Sequence, residues 1–307
     1  MNYTRLALPF PVHISVCAPY DRLCPGEGME LRPKQSIAQV DRHILYEASV
    51  QSVDVEVDLI ARIFRTKRGR APRVLREDFC GTAALAVQWV ERARGNLAIG
   101  VDLHRATLDW GIRNNASRLG DEAHRLRLIC DDVLHVDRPK VDVIVAFNYS
   151  YQVFKTRQLL RSYFANAYRS LAGDGIFMVD VFGGTEAIME LVEERKVKKA
   201  IRPDGSIVPG FTYIWEQARF NPVDHHILCK IHFRLADGTE IRDAFRYDWR
   251  LWTLPEVQEL MREAGFRSTD VYMDGWDRDG DEADGIYRRR TFFENSAGWL
   301  GYVVGVK

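Results

Sequence analysis

The sequence predicts an α/β protein with a mostly parallel seven-stranded sheet, helices on both faces of it, and an antiparallel β insertion. Between residues 73 and 183, short apolar runs alternate with longer segments of helical period. The apolar runs are nearly continuous, which is typical of parallel strands buried on both faces. After Gly184 the pattern changes to long alternating segments separated by turn residues, which indicates antiparallel strands.

The first predicted elements are two helices. Ser36 is the expected N-cap of a helix that ends at Val50, and a second helix runs from Val53 to Phe64, where the basic turn TKRGRAPR (66–73) ends it. The five strands that follow are predicted at 73–79, 97–103, 125–132, 141–148 and 175–183, and the helices between them at 82–93, 105–119 and 156–171.

The insertion is predicted to contain strands 210–221, 225–238 and 239–252, with turns at NPVD and ADGT. A helix over 253–265 follows, with Thr253 as N-cap and Gly265 just past its end. Two more strands are expected around 266–274 and 290–306. The resulting divisions are 1–72 (N-terminal extension and capping helices), 73–204 (cofactor-binding core), 205–252 (insertion and substrate lid) and 253–307 (last helix and last two core strands).

The composition narrows the class of protein. The chain has 307 residues, with 43 Lys+Arg and 43 Asp+Glu, so its net charge is zero. This balance argues against a nucleic-acid partner, which usually requires a basic face. No apolar run approaches the ~18 residues of a membrane span, and the five cysteines form no CxxC motif. We therefore expect a cytoplasmic protein with free thiols and no membrane partner, rather than a Cys17–Cys24 disulfide.

Four predicted strand ends carry chemistry suited to a nucleoside cofactor. Glu77 precedes the turn Phe-Cys-Gly-Thr, in which Gly81 allows close backbone approach before a helix N-terminus. Asp102 closes the next strand, where an acid can bind both hydroxyls of a ribose. Asp132 ends the third, where an acid could accept from an adenine amino group, and Asn148 ends the fourth. Each acid could instead be only a helix cap, but together they favour an adenosine-type cofactor.

These motifs resemble those of class I S-adenosylmethionine-dependent methyltransferases, which have a Rossmann-like fold, and in particular a bacterial small-molecule group of unassigned substrate. EDFCGTA is similar to the first motif of that family, with Glu77 as its acid, Phe79 and Ala83 in place of its first and third glycines, and Gly81 as the second. GVD is similar to the ribose motif, and CDDV to the adenine motif with Val133 as backbone donor. The resemblance implies S-adenosyl-L-methionine as cofactor. The expected cofactor-binding residues are Tyr46, Glu77, Phe79, Cys80, Gly81, Thr82, Asp102, Leu103, Asp132, Val133 and Asn148.

The acceptor is expected at the same rim. Methyl transfer needs alignment and a water-poor pocket more than a strong acid or base, and the sequence contains no catalytic triad. The candidate catalytic residues are Asn148, Tyr149 and Tyr151. The candidate substrate residues in the lid are Tyr247, Arg250 and Trp252, with Arg250 holding a carboxylate; the alternative is an exposed cross-strand ladder.

No metal is expected. DGWDRDGDEADG (274–285) has acids at calcium-loop spacing but lacks the glycine and the final glutamate of such a loop. His225 and His226 have no third ligand at zinc spacing. The sequence thus favours methylation of a small molecule, through an amine or another N or O nucleophile. The alternatives are a non-catalytic cofactor-binding scaffold and an RNA or protein methyltransferase, and the oligomeric state stays open.

Overall fold

The computed structural model of the protein describes residues 41–275 and 285–307. The strands are β1 (Val74–Asp78), β2 (Leu97–Asp102), β3 (Leu126–Cys130), β4 (Val141–Ala146), β5 (Leu171–Gly183), β6 (Leu191–Val197), β7 (Ala200–Ile201), β8 (Ile207–Val208), β9 (Phe211–Phe220), β10 (His226–Arg234), β11 (Glu240–Arg250), β12 (Ser268–Met273), β13 (Arg288–Arg290) and β14 (Trp299–Val306). The α-helices are α1 (Arg42–Val50), α2 (Val53–Arg68), α3 (Ala84–Arg92), α4 (Arg105–Asn114), α5 (Arg157–Ser170) and α6 (Leu254–Glu263).

The larger sheet has the strand order β13-β12-β14-β5-β4-β1-β2-β3. The five strands β1 to β5 are parallel, and β14 runs antiparallel to β5 and β12. The predicted fold class is confirmed, with one correction: the described residues form eight strands of this sheet, not seven. The eighth is the three-residue strand β13, which pairs with β12 at the sheet edge, and the last long strand begins at Trp299 rather than at residue 290.

Helices cover both faces of this sheet. Side chains of α2 and α3 pack on one face, where Phe64 and Trp89 are buried, and side chains of α5 and α6 pack on the other. The strand order reverses between β1 and β4, and a crevice opens at the carboxyl ends of the strands at such a point. The fold therefore brings the residues that follow β1, β2, β3 and β4 to one edge.

Two of the observed helix ends differ from the predicted ones, and the capping residues and terminal charges explain the difference. The N-cap of α1 is Asp41, whose carboxylate accepts from the His43 N–H at 2.8 Å, whereas the predicted cap Ser36 lies outside the described residues. Helix α2 continues one turn past the predicted end and stops at Gly69, which has φ 69°. The basic side chains there complement the negative end of the helix dipole, so they extend the helix instead of ending it. The predicted Thr253 cap of α6 is confirmed, as part of a capping box.

Helix α4 ends at Asn114, earlier than the predicted residue 119. A 3-10 segment, Ala116–Arg125, replaces its last turn, and Gly120 within that segment has φ 53°. The backbone there cannot continue an α-helix.

A second, antiparallel sheet has the order β11-β10-β9-β6. The predicted turns are confirmed at both ends of β10. The predicted insertion starts at residue 205, but β6 pairs with β9 and already belongs to this sheet, which therefore starts at Leu191. Side chains on one face of it form an aromatic surface, in which the rings of Tyr247 and Trp249 stack at 4.4 Å.

Among the described residues, no helix is both long and apolar enough to cross a membrane. Cys17, Cys24 and residues 276–284 of the calcium-like segment lie outside the described residues.

Candidate functional site

The loop after β1 keeps a left-handed backbone at three alternate positions. Phe79 has φ 59°, Gly81 has φ 52° and Ala83 has φ 58°. A non-glycine residue in this region carries roughly 1–2 kcal/mol of strain. The family whose first motif this sequence resembles has glycine at these three positions. The loop therefore keeps the shape of a three-glycine turn although it contains only one glycine. A Cβ atom added at Gly81 would meet nothing within 4 Å, so the space above the middle of the loop is open.

Two side chains of this loop point away from that open space. The Phe79 ring makes edge contacts with Phe154 and Tyr163, at 5.9 and 5.7 Å between centroids. The Cys80 sulfur lies against Gly100 of β2, and burial raises the pKa of its thiol well above the ordinary value. Phe79 is thus half-buried and packs against the core cluster beside α5.

Glu77 lies beneath the loop and holds the start of α3. Its carboxylate accepts from the Ala86 N–H at 2.9 Å and is buried. Burial, followed by the charge of Glu56, raises the pKa of Glu77 well above the usual range. The neighbouring Asp78 is also buried and is paired with Arg76 at 2.8 Å. Glu77 fixes the geometry of the first turn of the helix, and with it the shape of the loop.

Asp102 connects the end of β2 to the same loop. Its two carboxylate oxygens accept from the Gly81 N–H at 2.9 Å and from the His104 N–H at 2.8 Å. Each oxygen keeps lone-pair capacity for a further donor, such as a hydroxyl. The next residue, Leu103, is 61% exposed and offers an apolar surface beside it.

The end of β3 supplies a free backbone donor. Asp132 accepts from the Leu134 N–H at 2.9 Å and thereby shapes the turn. The Val133 side chain is buried, whereas its N–H makes no hydrogen bond to any residue that the structure describes. Together with Gly81, Asp102 and Leu103, this edge offers a diol acceptor, an apolar surface and a backbone donor, which fit an adenosine group.

Helix α1 covers the loop and is tied to it by Glu47. One carboxylate oxygen of Glu47 accepts from the Thr82 hydroxyl and from the Asn115 side-chain amide, both at 2.7 Å. Arg202, from the connection between β7 and β8, pairs with the other oxygen at 3.5 Å. Glu47 was not among the predicted site residues, because these contacts join segments far apart in the chain.

Tyr46 on α1, an expected cofactor-binding residue, lies at the aromatic sheet face. Its ring lies 4.8 Å from that of Phe245, and its phenol and that of Tyr247 are close enough to influence each other's pKa. Burial raises the pKa of both phenols, so both are neutral at physiological pH.

A second strained backbone stretch follows β4. Asn148 and Tyr149 have φ 56° and 57°, and both of their N–H groups donate to the carboxylate of Asp180 on β5, at 2.7 and 2.9 Å. Asp180 is 5% exposed, and burial raises its pKa to about 7. Consecutive left-handed residues that point two N–H groups at one anion form a nest. Asp180 thus holds two of the predicted catalytic residues in place.

Glu56 on α2 is a further buried acid near Asp180. It is 8% exposed, and its carboxyl makes no hydrogen bond or ion pair with the described residues. Burial, and secondarily the charge of Asp180, raises its pKa to about 8. Glu56 and Asp180 were not among the predicted site residues, although each interrupts an apolar pattern: Glu56 lies on the apolar stripe of α2, and Asp180 lies inside FMVDVFG.

Three of the predicted acceptor residues are not gathered at this rim. Tyr151 has 0% exposure and packs on Phe164 in the core beside α5. Trp252 is equally buried and donates its indole N–H to the Phe154 carbonyl at 3.1 Å. Arg250 lies on the Trp252 ring at 3.7 Å and pairs with Glu256.

The predicted lid pocket of Tyr247, Arg250 and Trp252 is therefore wrong. Successive side chains of a strand point to opposite faces, so residues three apart in β11 cannot share a face. Tyr247 lies on the aromatic face that meets Tyr46, whereas Arg250 lies on the other face. Trp252 follows the strand and belongs to the core.

One side-chain group has metal-ligand spacing but not metal-site chemistry. Glu216, His232 and Asp243 lie together on the outer face of the second sheet. The His232 ring already uses both nitrogens, one with Glu216 at 2.8 Å and one with the Asp243 N–H at 2.8 Å. Lys230 pairs with Glu216 at 3.4 Å and supplies the positive charge. These contacts join Glu216, His232, Asp243 and Lys230 in one polar network.

The fold is similar to that of solved methyltransferase structures. An S-adenosylmethionine-dependent methyltransferase from Clostridium acetobutylicum ATCC 824 matches with a TM-score of 0.61 and 14% identity, over 86% of this chain and 96% of that chain. CalS10, an amino pentose methyltransferase from Micromonospora echinaspora, matches with a TM-score of 0.60 and 16% identity, over 91% of this chain and 99% of that chain. The sugar N-methyltransferase KedS8 from Streptoalloteichus sp ATCC 53650 matches with a TM-score of 0.58 and 16% identity, over 93% of this chain and 99% of that chain.

No protein-family model matches the sequence, and a search of curated proteins finds no significant match. The structural likeness confirms the fold that the motifs imply: the chain has the fold of class I S-adenosylmethionine-dependent methyltransferases.

Proposed function

We propose that the protein transfers a methyl group from S-adenosyl-L-methionine to a small-molecule acceptor with a nitrogen or oxygen nucleophile. The observation that carries this proposal is the open space above Gly81, with the Asp102 carboxylate and the Val133 N–H, which is unpaired within the described chain, at the adjoining strand ends. When bound, S-adenosylmethionine supplies an activated methyl group on a sulfonium. The methyltransferase fold supports the same conclusion.

In this proposal each residue at the edge has a separate task. Asp102 accepts from the ribose hydroxyls, Leu103 packs on the adenine, and the Val133 N–H donates to an adenine ring nitrogen. Glu77 and Glu47 do not touch the cofactor, but hold the loop and α1 around it. Enclosure under α1 and the aromatic sheet face excludes water, which favours transfer to the acceptor over side reactions.

A small acceptor fits the charge and the topology of the chain better than a macromolecule. The zero net charge argues against the broad basic face that RNA binding usually requires. A non-catalytic cofactor-binding scaffold is the alternative, and it predicts cofactor binding without formation of S-adenosylhomocysteine.

The test is calorimetric titration of S-adenosylmethionine and S-adenosylhomocysteine into matched glycine variants. Gly81 and Gly69 both have positive φ and open space where a Cβ atom would lie, so alanine introduces similar backbone strain at either site. We expect Gly81→Ala to weaken binding roughly tenfold or more, because its methyl enters the ligand space. Gly69→Ala, at the end of α2, should bind like wild type.

Asp102→Ala should also lose affinity. Absence of binding by folded wild type would refute the proposed cofactor, and equal binding by both glycine variants would refute the proposed position. Formation of S-adenosylhomocysteine with an added acceptor separates the enzyme from the scaffold.

A further inference from the structure

Three buried carboxyls meet behind the rim without a cation among the described side chains. Glu56, Glu77 and Asp180 come from α2, β1 and β5, and each is more than nine-tenths buried. They lie close enough for their charges to interact: Asp180 acts on Glu56, and Glu56 acts on Glu77. In the described part of the chain, no Lys, Arg or His forms an ion pair with any of them. Burying several carboxyls together without a counter-charge is unfavourable in free energy. The presence of this cluster therefore calls for a functional explanation.

The three acids differ in their hydrogen bonds. Glu77 accepts from the Ala86 N–H and Asp180 from two backbone N–H groups, so both have a structural task. Glu56 has no hydrogen bond to the described residues although only 8% of it is exposed. It is not needed to hold a helix or a loop, so a ligand is the simplest partner for it.

A second group without a partner lies beside Glu56. Tyr287 is buried, and its hydroxyl makes no hydrogen bond within the described ranges. Its ring contacts that of Tyr302 at 4.8 Å, and Tyr302 pairs directly with Asp180 across β14 and β5. The charges of Asp274, Glu56 and Asp180 all act on Tyr287, in decreasing order. Within the described ranges, the Glu56 carboxyl and the Tyr287 hydroxyl are thus both unpaired, and both lie near Asp180.

Aromatic rings complete these surroundings. Tyr149 contacts Phe182 at 4.7 Å and Trp249 of the second sheet at 6.3 Å. Ring faces attract cations electrostatically, more strongly where water is excluded. Carboxylates with aromatic rings around them are suited to an organic ammonium group, whereas a bare metal ion would require more oxygen ligands.

We propose that Glu56 and Asp180 bind the ammonium group of an amine acceptor, with Tyr287 as a third hydrogen-bonding partner. This inference rests on the proposed function and narrows its acceptor from nitrogen or oxygen nucleophiles to amines. Glu77, which is engaged with α3, is not part of the amine site.

The same pair can remove the proton that blocks reaction. An ammonium nitrogen has no lone pair, so one N–H bond must break: the proton moves to a carboxylate oxygen, and the electron pair stays on nitrogen. The groups that face this pair are Glu77 on β1, Tyr46 on α1, and the phenols of Tyr149, Tyr151, Tyr287 and Tyr302, all of which have raised pKa values. The phenols are therefore neutral, and the pKa values of about 7 for Asp180 and about 8 for Glu56 suit exchange of one proton near neutral pH.

The experiment compares binding of cyclohexylamine and cyclohexanol, an amine and an alcohol of similar shape, by calorimetry with and without S-adenosylhomocysteine. The variants are Glu56→Gln and Asp180→Asn. The control is Asp54→Asn, on the first turn of the same helix, where an amide oxygen can still accept from Gln88. Titrations in two buffers of different ionisation enthalpy measure the protons released on binding.

We expect the amine, but not the alcohol, to bind wild type and Asp54→Asn, with release of protons near pH 7. Glu56→Gln should weaken amine binding at least tenfold and reduce the proton release, while its affinity for S-adenosylhomocysteine stays within about twofold of wild type. Because Asp180 also holds two backbone N–H groups, Glu56→Gln decides the result if Asp180→Asn does not fold.

Equal binding of the amine and the alcohol, or undiminished amine binding by Glu56→Gln, would overturn the proposal. Loss of S-adenosylhomocysteine affinity in Glu56→Gln would also overturn it, since the carboxyl would then serve the cofactor. If wild type binds the amine through Glu56 but binds no S-adenosylhomocysteine, the amine site stands and the proposed methyltransferase function fails.

Discussion

Glu56→Gln should change the pH dependence of stability. Burial raises the pKa of Glu56 from 4.5 to about 8, so the folded state prefers the protonated form more strongly than the unfolded state does. Its favourable contribution is therefore complete below pH 4.5 and is lost as the pH rises toward 8. From these two pKa values, wild type loses roughly 2–3 kcal/mol in free energy of unfolding between pH 5 and pH 7 through this residue. Glutamine does not titrate, so the variant loses that much less over the same interval.

The assay is urea unfolding followed by tryptophan fluorescence at pH 5, 6, 7 and 8, for wild type, Glu56→Gln and the control Asp54→Asn. The informative quantity is the difference between wild type and variant as a function of pH, because a constant cost of burying an amide cancels. The Glu56→Gln curve should be flatter than that of wild type, whereas the Asp54→Asn curve should run parallel to it. Parallel curves for wild type and Glu56→Gln would show that Glu56 does not titrate in this range in the folded protein, and the reasoning would be refuted.

Three further predictions concern contacts that shape the site. Tyr163→Phe removes the donor at 2.9 Å from the buried Asp78 carboxylate and should lower the free energy of unfolding by roughly 1.5–3 kcal/mol; an unchanged urea midpoint would contradict this. Thr253→Ala removes the α6 capping box and should cost about 1 kcal/mol, whereas serine at that position should restore most of it. Glu47→Ala leaves the Thr82 hydroxyl without its acceptor and should speed amide exchange in α1 roughly tenfold; equal acceleration in α2 would show general rather than local destabilisation.

The sequence predicted the fold well because its strongest signals are local. Buried parallel strands read as apolar runs, and Thr253 with Glu256 and Gly265 marks both ends of α6. The missing strand β13 is three arginines long, too short and too polar for any pattern to reveal. The start of the second sheet was missed because β6 reads LVEERKV, in which charged side chains hide the alternation.

The site was predictable only in part. Gly81 and Asp102 could be placed because strand ends in a parallel sheet meet at one edge. Glu56 and Asp180 stand out in the sequence because each interrupts an apolar pattern, but their roles, like that of Glu47, depend on which side chains surround them in space. The incorrect prediction that Tyr247 and Arg250 line one pocket has a simpler cause. Residues three apart on a strand point in opposite directions, and this spacing is already visible in the sequence.

The convergence of contacts at Glu47 has a kinetic consequence. Thr82, Asn115 and Arg202 belong to three separate segments and meet on one carboxylate of α1. A ligand enclosed beneath that helix leaves only after these contacts separate, so its residence time should be limited by the opening of α1 rather than by its own bonds alone. We expect S-adenosylhomocysteine to dissociate faster from Glu47→Ala in stopped-flow measurements, by the same factor as α1 amide exchange accelerates. Unequal factors would mean that the ligand has another way out.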